Sequence, residues 1–417
     1  MSIDHVPRRG PGEERVPEAS AGQTPPRTGR LVGVDVARGV ALIGIIIVNI
    51  VPVETESDEP VLVVALLAGR AAALFALIAG ISIALQSGGR RAPTGRAMTA
   101  GRAALALRAL LVIAIGLLLG ATGTEIAVIL PYYGVLFLLA VPLIGLGRRT
   151  LVCLSATFAL LGPVAMQLVR AVWTDRPEVD GEYTFGLVAA QPGAFLTDML
   201  LTGFYPALPW LAYICAGIAI GRSDLSSRRT ATFLLGAGAA LAASMWLLSQ
   251  LLLGPGGGLD QIVAATPGLD REDIDAILTF GKDAETDADS FPATTGWWLA
   301  ILAPYTSTPV TILSTLGVAM AALGAVLLIV PRLGRSVEPL AAMGSMTLTL
   351  YSAHLIILAT GILDPRRPIM EVAIQCILFL LAAVLWRATV GKGPLERILA
   401  DATGWLRGRV LDAGRRG

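Results

Sequence analysis

Apolar residues along this chain come in blocks about twenty long, separated by polar segments, and that length matches the hydrocarbon thickness of a bilayer. The pattern predicts an all-α polytopic membrane bundle of about ten transmembrane helices. The spans expected are Leu31 to Val53, Val61 to Leu85, Arg102 to Gly120, Ile126 to Leu146, Leu151 to Val172, Phe204 to Gly221, Thr230 to Leu253, Pro309 to Val330, Pro339 to Leu363 and Ile369 to Val390. No internal repeat stands out. Residues 1–30 are rich in Pro, Arg and Glu and too poor in apolar side chains to offset the entropy of ordering, so a disordered cytoplasmic tail is expected there. A secretory signal would place its apolar core earlier and follow it with a cleavage site, so the first block reads as a retained span. The membrane domain is expected over 31–399, with long outer loops near 173–203 and 254–308, and a basic cytoplasmic tail over 400–417.

Composition supports the membrane assignment: 54% of residues are hydrophobic and 15% charged, against roughly 25% charged in soluble domains. The formal charge of +1 carries no signal for nucleic acid, and none is expected as a partner; the lipid bilayer is. How charge is distributed says more. Segments holding Arg90, Arg91 and Arg96, then Arg148 and Arg149, then Arg222, Arg228 and Arg229, then Arg332 and Arg335 alternate with acidic ones, which predicts both termini cytoplasmic in a multi-pass protein of the cell membrane. Arg366 and Arg367 are the exception. Cys153, Cys215 and Cys376 lie inside apolar blocks without paired spacing and read as buried thiols, neither a disulfide framework nor a metal site.

Polar residues inside the blocks are the candidate chemistry. Arg38 and Asn49 are eleven residues apart, so they share one face of the first span with about 16 Å of rise between them, and Asp35 sits a turn before Arg38. Asp35 and Arg38 could serve merely as an interfacial pair, and Asn49 as an interhelical hydrogen bond. Arg70 is placed roughly 13 Å deep in an unbroken second span, where an arginine needs a partner or a polar cavity. In "GSMTLTLYSAH" Thr347, Tyr351 and His354 share a helical face, and His354 is expected at the depth of Asn49. Imidazole suits proton transfer near neutral pH. Arg102 and Arg108 in the third span, with Arg38, outline a cationic vestibule suited to phosphate oxygens, although the positive-inside bias alone also produces such clusters.

The segments "RLVGVDVARGVALIGIIIVNI", "GRAAALFALIAGISIAL", "ILPYYGVLFLL", "YPALPWLAYICAGIAIGR", "MGSMTLTLYSAHLI" and "GKGPLERIL" resemble the YeiB-like bacterial membrane proteins and the related heparan-alpha-glucosaminide N-acetyltransferase family, over about Leu31 to Leu399. The opening block is also similar to membrane acyltransferases whose first helix carries Arg and, eleven residues on, His; Asn49 stands at that second position. The segment where the lysosomal enzyme carries its active histidine reads "VPVETESDEP", and Val128 stands where many YeiB-like proteins have Asp. The resemblance implies an acyltransferase-like scaffold with acyl-CoA as donor and no metal. On that scaffold Arg38, Arg102 and Arg108, beside Asp35, are expected to hold the donor's phosphates. His354 is expected as general base on an extracytoplasmic glycan or lipid hydroxyl or amine, oriented by Tyr351, with Asn49 or Arg70 steadying the thioester oxygen. The rival classes are a transporter or flippase for an anionic substrate, with Arg70, Asp35 and His354 along its path, and a non-catalytic relative. A homodimer is left open.

Overall fold

The computed structural model describes residues 29–54, 60–124, 126–173, 179, 182–281 and 291–413. The tail expected over residues 1–30 lies outside them as far as residue 28, as do parts of the outer loops and the last four residues. Regular structure among the described residues is helical, with no strand. In chain order the helices are α1 (Gly29–Ile50), α2 (Leu62–Leu67), α3 (Arg70–Gln86), α4 (Gly95–Gly120), α5 (Ile129–Ala140), α6 (Arg148–Val172), α7 (Phe185–Ala190), α8 (Pro192–Thr197) and α9 (Ala207–Gly221). They continue as α10 (Arg228–Leu253), α11 (Gly258–Ala265), α12 (Arg271–Phe280), α13 (Pro309–Leu333), α14 (Glu338–Ser345), α15 (Thr347–Ala359), α16 (Pro368–Thr389) and α17 (Pro394–Ala413). Among the described residues seven segments are long and apolar enough to cross a bilayer. An eighth is a bent pair, Pro192–Thr202 with Ala207–Gly221, at 54°. Two apolar segments, Ile129–Gly145 and Thr347–Ala359, are shorter. The chain is a multi-pass membrane protein.

Two of the expected spans are broken. The second divides at Ala68–Gly69, where Gly69 takes a φ of 71°, a conformation that costs a residue with a Cβ. The break leaves carbonyls at the end of α2 without helical partners, and Arg70 Nη1 donates to the Ala65 carbonyl at 2.6 Å. Arg70 therefore stands at the head of α3 and closes the break, a correction to its expected place within an unbroken helix. The ninth span divides at Met346 into α14 and α15. Glu396, from α17, covers the new end: its carboxylate accepts from Leu348 N at 2.8 Å, Thr349 N at 3.2 Å and Thr349 Oγ1 at 2.6 Å.

Helices α5 and α9 are buried almost all round and form the centre of the bundle, as uniformly apolar helices must. On α10 and α16 large apolar side chains such as Trp246, Leu251, Leu381 and Leu385 point outward, as lipid-facing helices require. Helices α3 and α9 meet at Gly80 and Gly217. A Cβ on either would approach the other's Cα to 2.9 Å, so hydrogen is the only side chain that keeps this spacing.

The turns after α3, α5 and α9 gather at one end of the bundle. Arg90 pairs with Asp224 at 3.7 Å, Arg222 donates to the Ile144 carbonyl, Arg102 donates to the Pro142 carbonyl at 3.2 Å, and Arg407 of α17 reaches the Gln86 carbonyl at 3.3 Å. This is the basic face. At the opposite end a segment around residues 301–308 packs over the bundle, with Tyr305 and Ser307 at φ of 57° and 52°, a strained conformation for residues bearing a Cβ. Its anchors are Trp210 Nε1 to Ser307 Oγ at 3.2 Å and Thr308, whose hydroxyl accepts from Thr311 N at 3.0 Å and caps α13.

Candidate functional site

A cavity of about 560 Å³ opens among α1, α3, α4, α5, α15 and α17. Its walls are apolar toward the middle of the bundle, with Phe75, Leu105 and Phe137, and charged toward the basic face. Four cationic side chains, Arg38, Arg108, Lys392 and Arg407, line it with one carboxylate, Glu396, whose oxygens are already engaged by the head of α15. The cavity thus carries a surplus of positive charge in a partly desolvated place, where electrostatic attraction for an anion is strong.

Each of these side chains is held by its neighbours. Arg38 Nη1 pairs with Asp35 Oδ1 at 2.8 Å, both side chains about one quarter exposed at 24%, and its Nη2 donates to Ser82 Oγ at 2.5 Å. A guanidinium has five N–H groups, so two spent on Asp35 and Ser82 leave others for a ligand. Arg108 Nη1 donates to Gln86 Oε1 at 3.2 Å. Lys392 lies just before α17, within the membrane domain expected over 31–399, and Arg407 lies in the stretch expected as a basic tail over 400–417. Helix α17 crosses that boundary and runs to Ala413, and its Glu396, Leu399, Ala400, Thr403, Gly404 and Arg407, at helical spacing, form one wall of the cavity.

Beyond this cavity lies a second pocket of about 10 Å³, room for one water, lined by Asn49, Ala71, Ala72, Tyr205 and Tyr305 among others. Ile45, Ile129 and Tyr351 line both hollows and so form the partition between them. The Tyr351 hydroxyl accepts the Ile129 N–H at 3.3 Å, which fixes this side chain in the partition.

His354 lies beside the small pocket, fully buried at 0% exposure, between α1, α15 and α16. Its Nε2 is 3.2 Å from Asn49 Nδ2 and its Nδ1 is 2.9 Å from Gln375 Oε1. An amide oxygen only accepts and an amide nitrogen only donates, so with the two amides turned this way the ring carries a proton on Nδ1 and presents a lone pair at Nε2. The histidine links three helices.

The structure therefore brings Asn49 and His354 into contact and places Arg38, Arg108 and Tyr351 around the adjoining cavity. Asp35 reaches it only through Arg38. Arg102 points to the Pro142 carbonyl and lines neither hollow, and Arg70 is likewise outside both. Tyr351 does not orient His354: their ring centroids are 6.5 Å apart and the hydroxyl is taken by Ile129. Gln375 occupies that orienting position. A lone amide in "VAIQCILF" was a readable signal; Lys392 and Glu396 lie in "GKGPLERIL", read only for its resemblance, and Arg407, in a polar C-terminal stretch, offered none. Among the described residues no three His, Cys, Asp or Glu side chains converge as a metal site would need.

No curated protein matches the chain. Among known families, residues 30–253 match heparan-alpha-glucosaminide N-acetyltransferase, catalytic. That stretch holds Asp35, Arg38, Asn49, Arg70, Arg102 and Arg108, while Tyr351, His354, Lys392 and Arg407 come from beyond it. With more than half its length matched, the chain belongs to the heparan-alpha-glucosaminide N-acetyltransferase catalytic family.

Proposed function

We propose that this protein is a transmembrane acyltransferase which binds acyl-CoA from its basic, cytoplasmic face and passes the acyl group to an extracytoplasmic hydroxyl or amine. The observation that carries the reading is the cavity itself: cationic at the basic face, apolar further in, and closed by Tyr351 next to the Asn49–His354 pair. The donor set fits such a ligand, since guanidinium groups bind phosphate oxygens bidentately and the one carboxylate lining the cavity already accepts backbone N–H groups at the head of α15. Acyl-CoA, when bound, supplies an activated thioester carbonyl.

Arg38 and Arg108 hold the phosphates, with Lys392 and Arg407 at the rim and Arg102 behind them. The Arg38-to-Asn49 rise of about 16 Å along α1 places the reacting end near the partition. Asn49 keeps one amide hydrogen for His354 and turns the other toward the small pocket, where it steadies developing negative charge. As the Asn49 amide swings from it, His354 Nε2 takes the acceptor's proton while the acceptor oxygen or nitrogen bonds to the thioester carbonyl carbon; the C–S bond breaks, His354 returns the proton to the departing CoA thiolate, and Nδ1–H stays hydrogen-bonded to Gln375. Positive charge on the basic face orients the chain with ten crossings, the two short apolar segments included, and both termini cytoplasmic in the cell membrane.

Purified protein in detergent, given acetyl-CoA with glucosamine as probe acceptor, tests this. CoA release coupled to acetylation, lost in His354→Ala, is expected. CoA release no faster than in a protein-free blank would overturn it. The breaks at Gly69 and Met346 resemble the discontinuous helices of transporters, so flux of an anion into vesicles without thioester turnover would favour that class instead.

A further inference from the structure

We propose that Gln375 is a positioning residue for the transfer, acting through His354: its amide oxygen selects the Nδ1–H tautomer and so keeps the Nε2 lone pair turned toward Asn49. This rests on the reading of His354 as the base. Helix α16 buries only three residues, Gln375, Phe379 and Ala383, spaced four apart as the stripe that faces the bundle, while most of its remaining surface is apolar and outward. An amide in such a helix needs a partner, because lipid offers none. Gln375 is 4% exposed, and its oxygen meets His354 Nδ1 at 2.9 Å.

Asn49 alone leaves the tautomer open. Its amide donates to a bare Nε2 through Nδ2, or, turned over, accepts from a protonated Nε2 through Oδ1. In the second arrangement no lone pair faces α1, and the ring has nothing with which to take a proton there. The group on the far side of the ring decides between them. Gln375 presents its oxygen to Nδ1 and leaves its own Nε2 without a hydrogen-bond partner; turned over, it would donate to Nδ1 and select the Nε2–H tautomer, so the tautomer of the ring reports which way this amide faces.

Four variants and one spectroscopic measurement test the proposal. Gln375→Met keeps volume and removes the acceptor, and it is expected to lower kcat for acetyl transfer to glucosamine roughly 10- to 100-fold, the range for removing a residue that orients an imidazole, while KM for acetyl-CoA is unchanged. Gln375→Glu, which only accepts when ionised, is expected to restore most of kcat; a merely structural amide predicts the reverse order, since Met suits an apolar helix better than Glu. Independently of activity, ¹⁵N-histidine spectra of the His5→Asn protein are expected to show His354 protonated at Nδ1 alone, whether or not the Met variant folds. Full kcat in Gln375→Met, or a ring protonated at Nε2 in the otherwise wild-type chain, overturns the inference. If His354→Ala abolishes transfer while Gln375→Met does not, the role of Gln375 falls and the acyltransferase reading stands; if His354→Ala transfers normally, the base assignment falls and takes this inference with it.

Discussion

Arg38 and Arg70 stand in apolar helices that run side by side, and their surroundings differ in kind. Around Arg38 the bundle provides Asp35, Ser82 and an open, water-accessible cavity with further cations in it. Around Arg70 it provides one backbone carbonyl, exposed by a helix break, and neither hollow. Hydrocarbon tolerates a guanidinium only where its N–H groups are satisfied, but a ligand site and a damaged helix satisfy them equally well. An arginine inside an apolar block marks a polar need. It does not say whose need it is.

Five substitutions sharpen that contrast. Arg38→Met removes charge-assisted contacts from the proposed phosphate seat and leaves Asp35 without its partner, so KM for acetyl-CoA is expected to rise about 10- to 100-fold in initial-rate measurements of CoA release. Arg38→Lys is not expected to restore it, because an ammonium cannot engage Asp35, Ser82 and a phosphate together in the planar geometry of a guanidinium. An unchanged KM would move the seat elsewhere. In Arg70→Met the Ala65 carbonyl loses its donor, which is expected to cost about 1–2 kcal/mol in thermal unfolding while KM for acetyl-CoA stays within about twofold. A large change in KM with unaltered stability would reverse the comparison. Gly69→Ala probes the break that Arg70 closes, and the positive φ is expected to cost about 1 kcal/mol by the same unfolding measurement. The smallest effect is expected at the exposed rim: Arg407→Ala should raise KM about two- to fivefold, less at high salt, as for other solvated charges.

Much of this contrast was hidden in the sequence for a reason that the residues themselves make plain. The spacing of Arg38 and Asn49 on one helix face was legible because helical geometry is local, and so was the shared depth of Asn49 and His354, counted from the ends of their blocks. The break at Gly69 was not. "LLAGRAAALF" is apolar enough to continue as helix, and only the folded chain shows the turn there, with the loop bearing Tyr305 packed against it, its backbone 3.6 Å from where a Gly69 Cβ would lie. Tyr351 shares a helical face with His354 yet bonds to Ile129, since at that depth it is the unpaired N–H at the head of α5 that lies within its reach. Residues 400–417 were expected only as a basic tail, because their small and polar residues have low hydropathy; helix α17 turns Leu399 and Thr403 inward and shapes one wall of the cavity.

By itself the sequence determined that this is a multi-pass helical membrane protein with ionisable groups on its first helix and one histidine inside an apolar block, because block length, helical period and the cost of charge in lipid are properties of short stretches of chain. Tertiary structure alone decided which of those groups meet. Gln375 reaches His354 across 21 residues and Asn49 across 305, and Arg407 closes a cavity begun by Arg38, because side chains so far apart are brought within hydrogen-bonding distance only by the packing of whole helices.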